Sequence, residues 1–321
     1  MIHSVLRFLR NWTLPVAMLT GAAMYFAYVS IPWLDGTHQA AHAALSVIQP
    51  ALIFTMLLLT FCRIRPQDLR LRRWQFWGLL LQLGLFVLCA MAILTLPAGS
   101  HYGTIIEGGM LCLICPTATA AAVVTGKLGG NPATLTTYTI LINLCAAIAV
   151  PLLVPMLHPG AGHSFLQDFA LILTKVFPLL FCPFLLAMAL RRWTPRLVQR
   201  LTSIPDLAFY LWAVALALAI AVTVRSLVHT TCPPSALLGI ALASLLACII
   251  QFAFGRWIGR LDDDRISAAQ SLGQKNTVFA IWMGYTFLDP VTSIAGGFYS
   301  IWHNVYNSYQ LYKSARRKET K

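Results

Sequence analysis

The residues best placed to do chemistry lie in two short polar runs inside otherwise apolar stretches. Gly273-Gln274-Lys275-Asn276, with Ser271 just before it, is the most polar run in any such stretch, and Cys115-Pro116-Thr117-Ala118-Thr119 is the second. A lysine in an apolar stretch either snorkels to water or works as a buried charge. Lys275 lies deep in its stretch, next to the Gly273 break, which favours the charge. An ammonium among amides and hydroxyls suits an anionic ligand, with Thr117, Thr119, Gln274, Asn276 and His303 as hydrogen-bonding groups. His303 itself is read as a packing or hydrogen-bonding residue ahead of a proton relay. Lys175, near the end of its stretch, is read as a snorkelling side chain. Glu107 and Asp206 lie near run ends, where water reaches them.

Catalysis has no comparable residues. The sequence carries no nucleophile elbow, HExxH, phosphate loop or paired aspartates within its apolar stretches. Cys112 and Cys115 have a redox or metal spacing, but no second cysteine pair or nearby histidine completes a four-ligand site. Neither catalytic residues, a metal site nor a cofactor is expected. The eight cysteines fall mostly inside apolar stretches and indicate no disulfide framework. Asp262-Asp263-Asp264, set among arginines, is expected to be a solvated charge cluster.

The elements that must hold these groups follow from hydropathy. Of 321 residues, 58% are hydrophobic and 10% charged, a balance that suits the lipid bilayer as solvent. Apolar runs cover 14–31, 44–61, 74–96, 105–124, 134–157, 169–190, 207–224, 236–254, 267–287 and 291–312. Each is near the roughly 20 residues that cross a hydrocarbon core as a helix. The expected fold is an all-α integral membrane protein of ten transmembrane helices forming one domain, 1–321.

The net charge of +13 raises the possibility of a nucleic-acid partner, and its placement argues for a membrane instead. With the N-terminus inside, the inside segments hold all 23 lysines and arginines except Arg225, Lys175 and Lys275. The positive-inside rule then predicts both termini in the cytoplasm of a multi-pass cell (inner) membrane protein. The opening MIHSVLRFLRNW is read as part of a retained first helix, because no small-residue cleavage site follows it.

Ten spans with both ends inside divide into two sets of five in inverted orientation, a common transporter plan. The fourth run is interrupted by Cys115-Pro116 and the ninth by Gly273 through Asn276, and paired interruptions of this kind point to a site near the bilayer midplane.

At these places the sequence resembles the bile acid:sodium symporter family over nearly its whole length. The resemblance is carried by Gly78-Leu79-Leu80-Leu81-Gln82, by Cys115-Pro116 with Thr119-Ala120 and Val123-Val124-Thr125, by Gly273 and Asn276, and most specifically by Tyr299-Ser300-Ile301-Trp302-His303-Asn304. It implies a core of spans within 74–157 and 236–312 moving against a panel of 14–61 and 169–224, with organic anions as substrates and sodium as the usual coupling ion. By position, the family's sodium ligands fall here on Ser271, Lys275, Ala121, Ala122 and Leu135, while Thr139 and Gln82 keep a suitable oxygen. Sodium needs several oxygens at close range, so the ion-coupling group is expected to be Lys275, with Ser271, Gln82 and Thr139 around it.

The function expected is secondary active transport of a small or amphipathic organic anion by alternating access, sodium-independent, with Lys275 as a tethered cation. If the lysine stays charged, an inside-negative potential draws the empty carrier inward and favours export; if it sheds its proton after release, the cycle is anion and proton symport. Two other readings stand beside it: a sodium-coupled organic anion symporter, and a membrane-embedded sensor without flux. Lipid and a small organic anion are the partners expected, nucleic acid is not, and no protein partner is indicated. The basic tail after Tyr312 could dock a partner or anionic lipid.

Overall fold

The computed structural model describes residues 13–97, 99–160, 162–204 and 207–319. Arg7, Arg10, Asp206 and Lys321, which the sequence places at the ends of spans or in the tail, lie outside them. The described chain is helical, with no strand. In order come α1 (Thr13–Ser30), α2 (His38–Cys62), α3 (Arg73–Leu94), α4 (His101–Ile114), α5 (Ala121–Leu128) and α6 (Pro132–Leu157). There follow α7 (Phe165–Leu180), α8 (Cys182–Trp193), α9 (Pro195–Ser203), α10 (Leu207–His229) and α11 (Pro234–Ile258), then α12 (Arg265–Gly273), α13 (Thr277–Phe287) and α14 (Ser293–Glu319).

Among the described residues, six helices are long and apolar enough to cross a membrane: α2, α3, α6, α7 with α8, α10 and α11. The first run, as 15–30, and α13 are shorter apolar helices. On α11 the sidedness is explicit. Leu238, Leu242, Leu246 and Ile249 are exposed, whereas Ser244 and Gln251 are buried. Water would drive the opposite arrangement, so the outer face of this helix is built for hydrocarbon. The chain is a multi-pass membrane protein.

Hydropathy predicts one helix over the sixth run, 169–190, and the structure divides it at Phe181. Pro183 has no N–H to offer the carbonyl of Leu179, and Pro178 adds a second interior proline, which explains the break. The tenth element extends beyond its apolar run as α14 to Glu319, so most of the basic tail is a continuation of the helix.

Contacts define two ends of the molecule. A cavity of about 490 Å³ is lined by residues near the C-ends of α3 and α6, the first turns of α4 and Asp289. Asp289 also borders a second cavity, of about 300 Å³, at the C-end of α10 and the start of the segment leading into α11. At the opposite end, Asp262 accepts from the Trp74 N–H at 3.1 Å and from Arg73 Nε at 3.4 Å. Asp264 accepts from Trp74 Nε1 at 3.2 Å and from the Thr134 hydroxyl at 2.6 Å. Two of the three aspartates are therefore ties between the beginnings of α3 and α6 and the loop before α12, correcting the expectation of a solvated cluster. Trp74, fully buried, supplies two of the three N–H groups involved.

Lys175 is exposed and places its Nζ 5.7 Å from the Phe287 ring centre. Glu107, expected to meet water, is buried; it bonds His158 Nε2 at 3.0 Å and accepts from the Asp289 N–H at 3.2 Å. Its hydrogen bonds join α4 to the end of α6 and to the turn between α13 and α14.

Candidate functional site

Two interrupted helices meet in the core, and the missing hydrogen bonds of each interruption can be traced one by one. In α4 the carbonyl of Cys112 would bond the N–H four residues on, but that residue is Pro116. Gln251 Nε2 of α11 donates to it instead, at 3.4 Å. The carbonyl of Leu113 is freed because Thr117 leaves the helix, and Gln82 Nε2 of α3 donates to it at 2.7 Å. In α12 the carbonyl of Gly273 accepts from the Tyr299 hydroxyl of α14 at 2.8 Å. The carbonyl of Ser271 accepts from the Thr117 hydroxyl at 2.7 Å, so the first break supplies a donor to the second.

The two interruptions also touch through their backbones. Ala118 N–H donates to the Gln274 carbonyl at 2.8 Å and Asn276 N–H donates to the Pro116 carbonyl at 2.9 Å. These form an antiparallel bridge between Thr117 and Lys275. The Lys275 N–H, which would otherwise serve Ser271, donates to His303 Nδ1 at 3.3 Å. Asn276 caps α13, its Oδ1 accepting from Phe279 N–H at 3.2 Å. Gly273 allows the break to pass under Phe252: a Cβ there would lie 2.3 Å from the ring.

Glutamines and tyrosines tie this frame together. Gln82 Nε2 also donates to Gln251 Oε1 at 3.0 Å, and the Tyr138 hydroxyl donates to Gln82 Oε1. Gln251 Nε2 donates to the Tyr299 hydroxyl at 3.1 Å. Each polar side-chain atom of Gln82, Gln251, Tyr138 and Tyr299 has a partner.

The groups beside the bridge differ. Lys275 is 1% exposed, and its Nζ has no hydrogen-bond partner among the described residues. Gln274 Oε1, Asn276 Nδ2, Ser271 Oγ and Ser300 Oγ are likewise buried and unpartnered. Among the described residues Lys275 forms no ion pair with a carboxylate. An uncompensated ammonium in a protein interior is costly, which makes this cluster chemically suited to an anion that brings both charge and acceptor oxygens.

Of the residues selected from sequence, Lys275, Gln274, Asn276, Ser271, Thr117 and His303 are thus brought together. His303 supports the backbone of Lys275 and packs edge-on against Tyr299. Thr119 sits in the half-buried turn before α5. Thr139 donates to the Leu135 carbonyl of its own helix at 3.1 Å, and Gln82 belongs to the bonded network. Sequence reasoning does not select Gln251, Tyr138 or Ser300 as site residues. The signal available for the first two is a matching pair: a glutamine on the helix before each break, and a tyrosine on the helix after each.

An all-helical, multi-pass membrane protein whose two interrupted helices cross at a polar centre has the form of a membrane carrier. The model of the SBF-like CPA transporter family matches residues 14–314, so the chain belongs to that family, which lies in the bile acid:sodium symporter group. The comparison with curated proteins gives no match.

Proposed function

We propose that this transporter-family protein is a secondary active carrier for a small or amphipathic organic anion, working by alternating access and without sodium. The observation that carries the reading is the buried Lys275 Nζ, unpartnered at the contact of the two interrupted helices. A monoanion neutralises the charged lysine, and the unpartnered Asn276 Nδ2 and Ser271 Oγ can donate to its oxygens. The lysine thereby takes the role of a coupling cation tethered to the protein. Gln82 supports sodium independence, because its amide oxygen already accepts from Tyr138 and its nitrogen is committed to Leu113 and Gln251.

The architecture that goes with this reading is ten crossings in two inverted sets of five. The repetition of a glutamine before and a tyrosine after each break favours it. The basic residues favour both termini in the cytoplasm and placement in the cell membrane. Alternating access then moves the core, with its crossing, against the panel of α1, α2, α7, α8 and α10.

The test is thermal unfolding of the purified protein against carboxylates and sulfonates of increasing apolar bulk, in sodium and in potassium buffers, with Lys275→Gln in parallel. A ligand at 100 times its dissociation constant adds about 2.7 kcal/mol. Stabilisation by an anion, equal in both salts and lost in the variant, is the expected result. Stabilisation that requires sodium would instead make this an ordinary sodium symporter, and equal stabilisation by uncharged analogues would remove the anion reading.

A further inference from the structure

The basic end of the molecule carries a surface that the transport reading does not use. Between α8 and the end of α9 the chain reads Arg191-Arg192-Trp193-Thr194-Pro195-Arg196-Leu197-Val198-Gln199-Arg200, with no acidic residue. Helix α9 has nine residues, and the sequence turns sharply at Thr194 to enter it. Val198 is buried against the body of the protein, while Arg192, Arg196 and Arg200 are exposed. Trp193 is 78% exposed and Leu197 is also exposed, so large apolar side chains alternate with the arginines on the free surface.

This strip is attached to the end of α2. Arg191 Nη2 donates to the Cys62 carbonyl at 2.7 Å, which sets the strip beside the chain leaving α2, where Arg63 and Arg65 are exposed as well. A short amphipathic helix following a membrane helix, with basic residues and an exposed tryptophan, has the composition of an element lying in the headgroup layer.

We infer that α9, with Arg192 and the neighbouring Arg63 and Arg65, is a docking surface for anionic phospholipid of the leaflet at this end. The charge selects the occupant: several guanidiniums offer paired N–H donors to a phosphate, and Trp193 and Leu197 offer apolar contact to its acyl chains. The assignment depends on neither Lys275 nor the direction of transport.

The test uses the full-length protein in neutral detergent, titrated with phosphatidylglycerol or phosphatidylcholine and followed by thermal unfolding and by lipid retained in native mass spectrometry. Phosphatidylglycerol should raise the melting temperature and remain bound, with both effects falling in about 0.5 M salt. In the variant R192Q/R196Q/R200Q, affinity should fall about a hundredfold, from about fivefold per arginine. Equal stabilisation by phosphatidylcholine, or an unchanged response in the triple variant, would overturn the inference. Saturation by a polyglutamate peptide that displaces the lipid at equal charge would overturn it in favour of an acidic protein partner. If the triple variant fails to fold, the salt and headgroup dependence of the native protein still decides.

Discussion

Two polar clusters lie side by side in the core and have opposite hydrogen-bonding states. In the glutamine and tyrosine network each side-chain polar atom is bonded, and the bonds end on carbonyls that the helix breaks set free. In the cluster around Lys275, buried donors and acceptors remain unpaired. A satisfied buried network fixes geometry, whereas an unsatisfied one is a source of binding energy for something else. The first cluster is therefore read as frame and the second as site.

The largest expected effect falls on the site. Lys275→Gln should lower anion affinity by at least about thirtyfold, since it removes one partner of a buried charge pair, while the melting temperature of the ligand-free protein stays level or rises. Ligand titration followed by unfolding of the same samples reads both quantities, and loss of stability without loss of affinity would reverse the two assignments. Gln251→Leu tests the frame. It strips the replacement donor from the Cys112 carbonyl and leaves Gln82 Nε2 with only the Leu113 carbonyl as acceptor, at a cost of about 2–3 kcal/mol. Denaturation in detergent should show that loss, with residual ligand binding at near-normal affinity in the folded fraction.

Smaller effects sharpen the boundary between frame and site. Gly273→Ala puts a methyl 2.3 Å from the Phe252 ring, so the ring and the break must part at a cost of about 1–2 kcal/mol. Adding Phe252→Leu should recover part of it, and no recovery would mean that Gly273 matters for reasons other than the ring. The smallest effect is at the cavity end. The hydrogen bond to Glu107, opposed by partial burial, raises the His158 pKa above the ordinary histidine value of 6.5. A raised value in the folded state means that the stabilisation is fully present below the unfolded value and disappears as pH climbs through the folded one. Because the His158 side chain is 37% exposed, solvent screening reduces the effect to a few tenths of a kcal/mol. Melting temperatures of wild type and His158→Gln should differ below about pH 6 and converge in alkali; parallel curves would show that the tie to Glu107 does not titrate.

Much of the site is legible in the sequence, because a lysine and a run of amides in an apolar stretch have few inexpensive explanations. Gln274, Lys275, Asn276 and Thr117 stand out for that reason, together with the two helix breaks. Gln251 does not, because a single amide in a long apolar run gives no hint of what it faces. Asp262 and Asp264 mislead for a related reason: charges near a loop look solvated unless the N–H groups opposite them, here those of Trp74, are known. The break at Phe181 has visible prolines at 178 and 183, but hydropathy averages across them.

Hydropathy and proline placement alone give a chain that lives in a bilayer, the approximate position of its apolar helices, and two of the three places where an apolar run is broken, the break at Phe181 being the one missed. These follow from local properties: the apolar content of each run and the missing N–H of proline. That the two interruptions bond to each other, with Thr117 completing Ser271 and Gln251 replacing the N–H that Pro116 lacks, emerges from the packing of the helices. A freed carbonyl declares itself in the sequence, but its partner comes from a helix far along the chain, and packing alone chooses which one arrives.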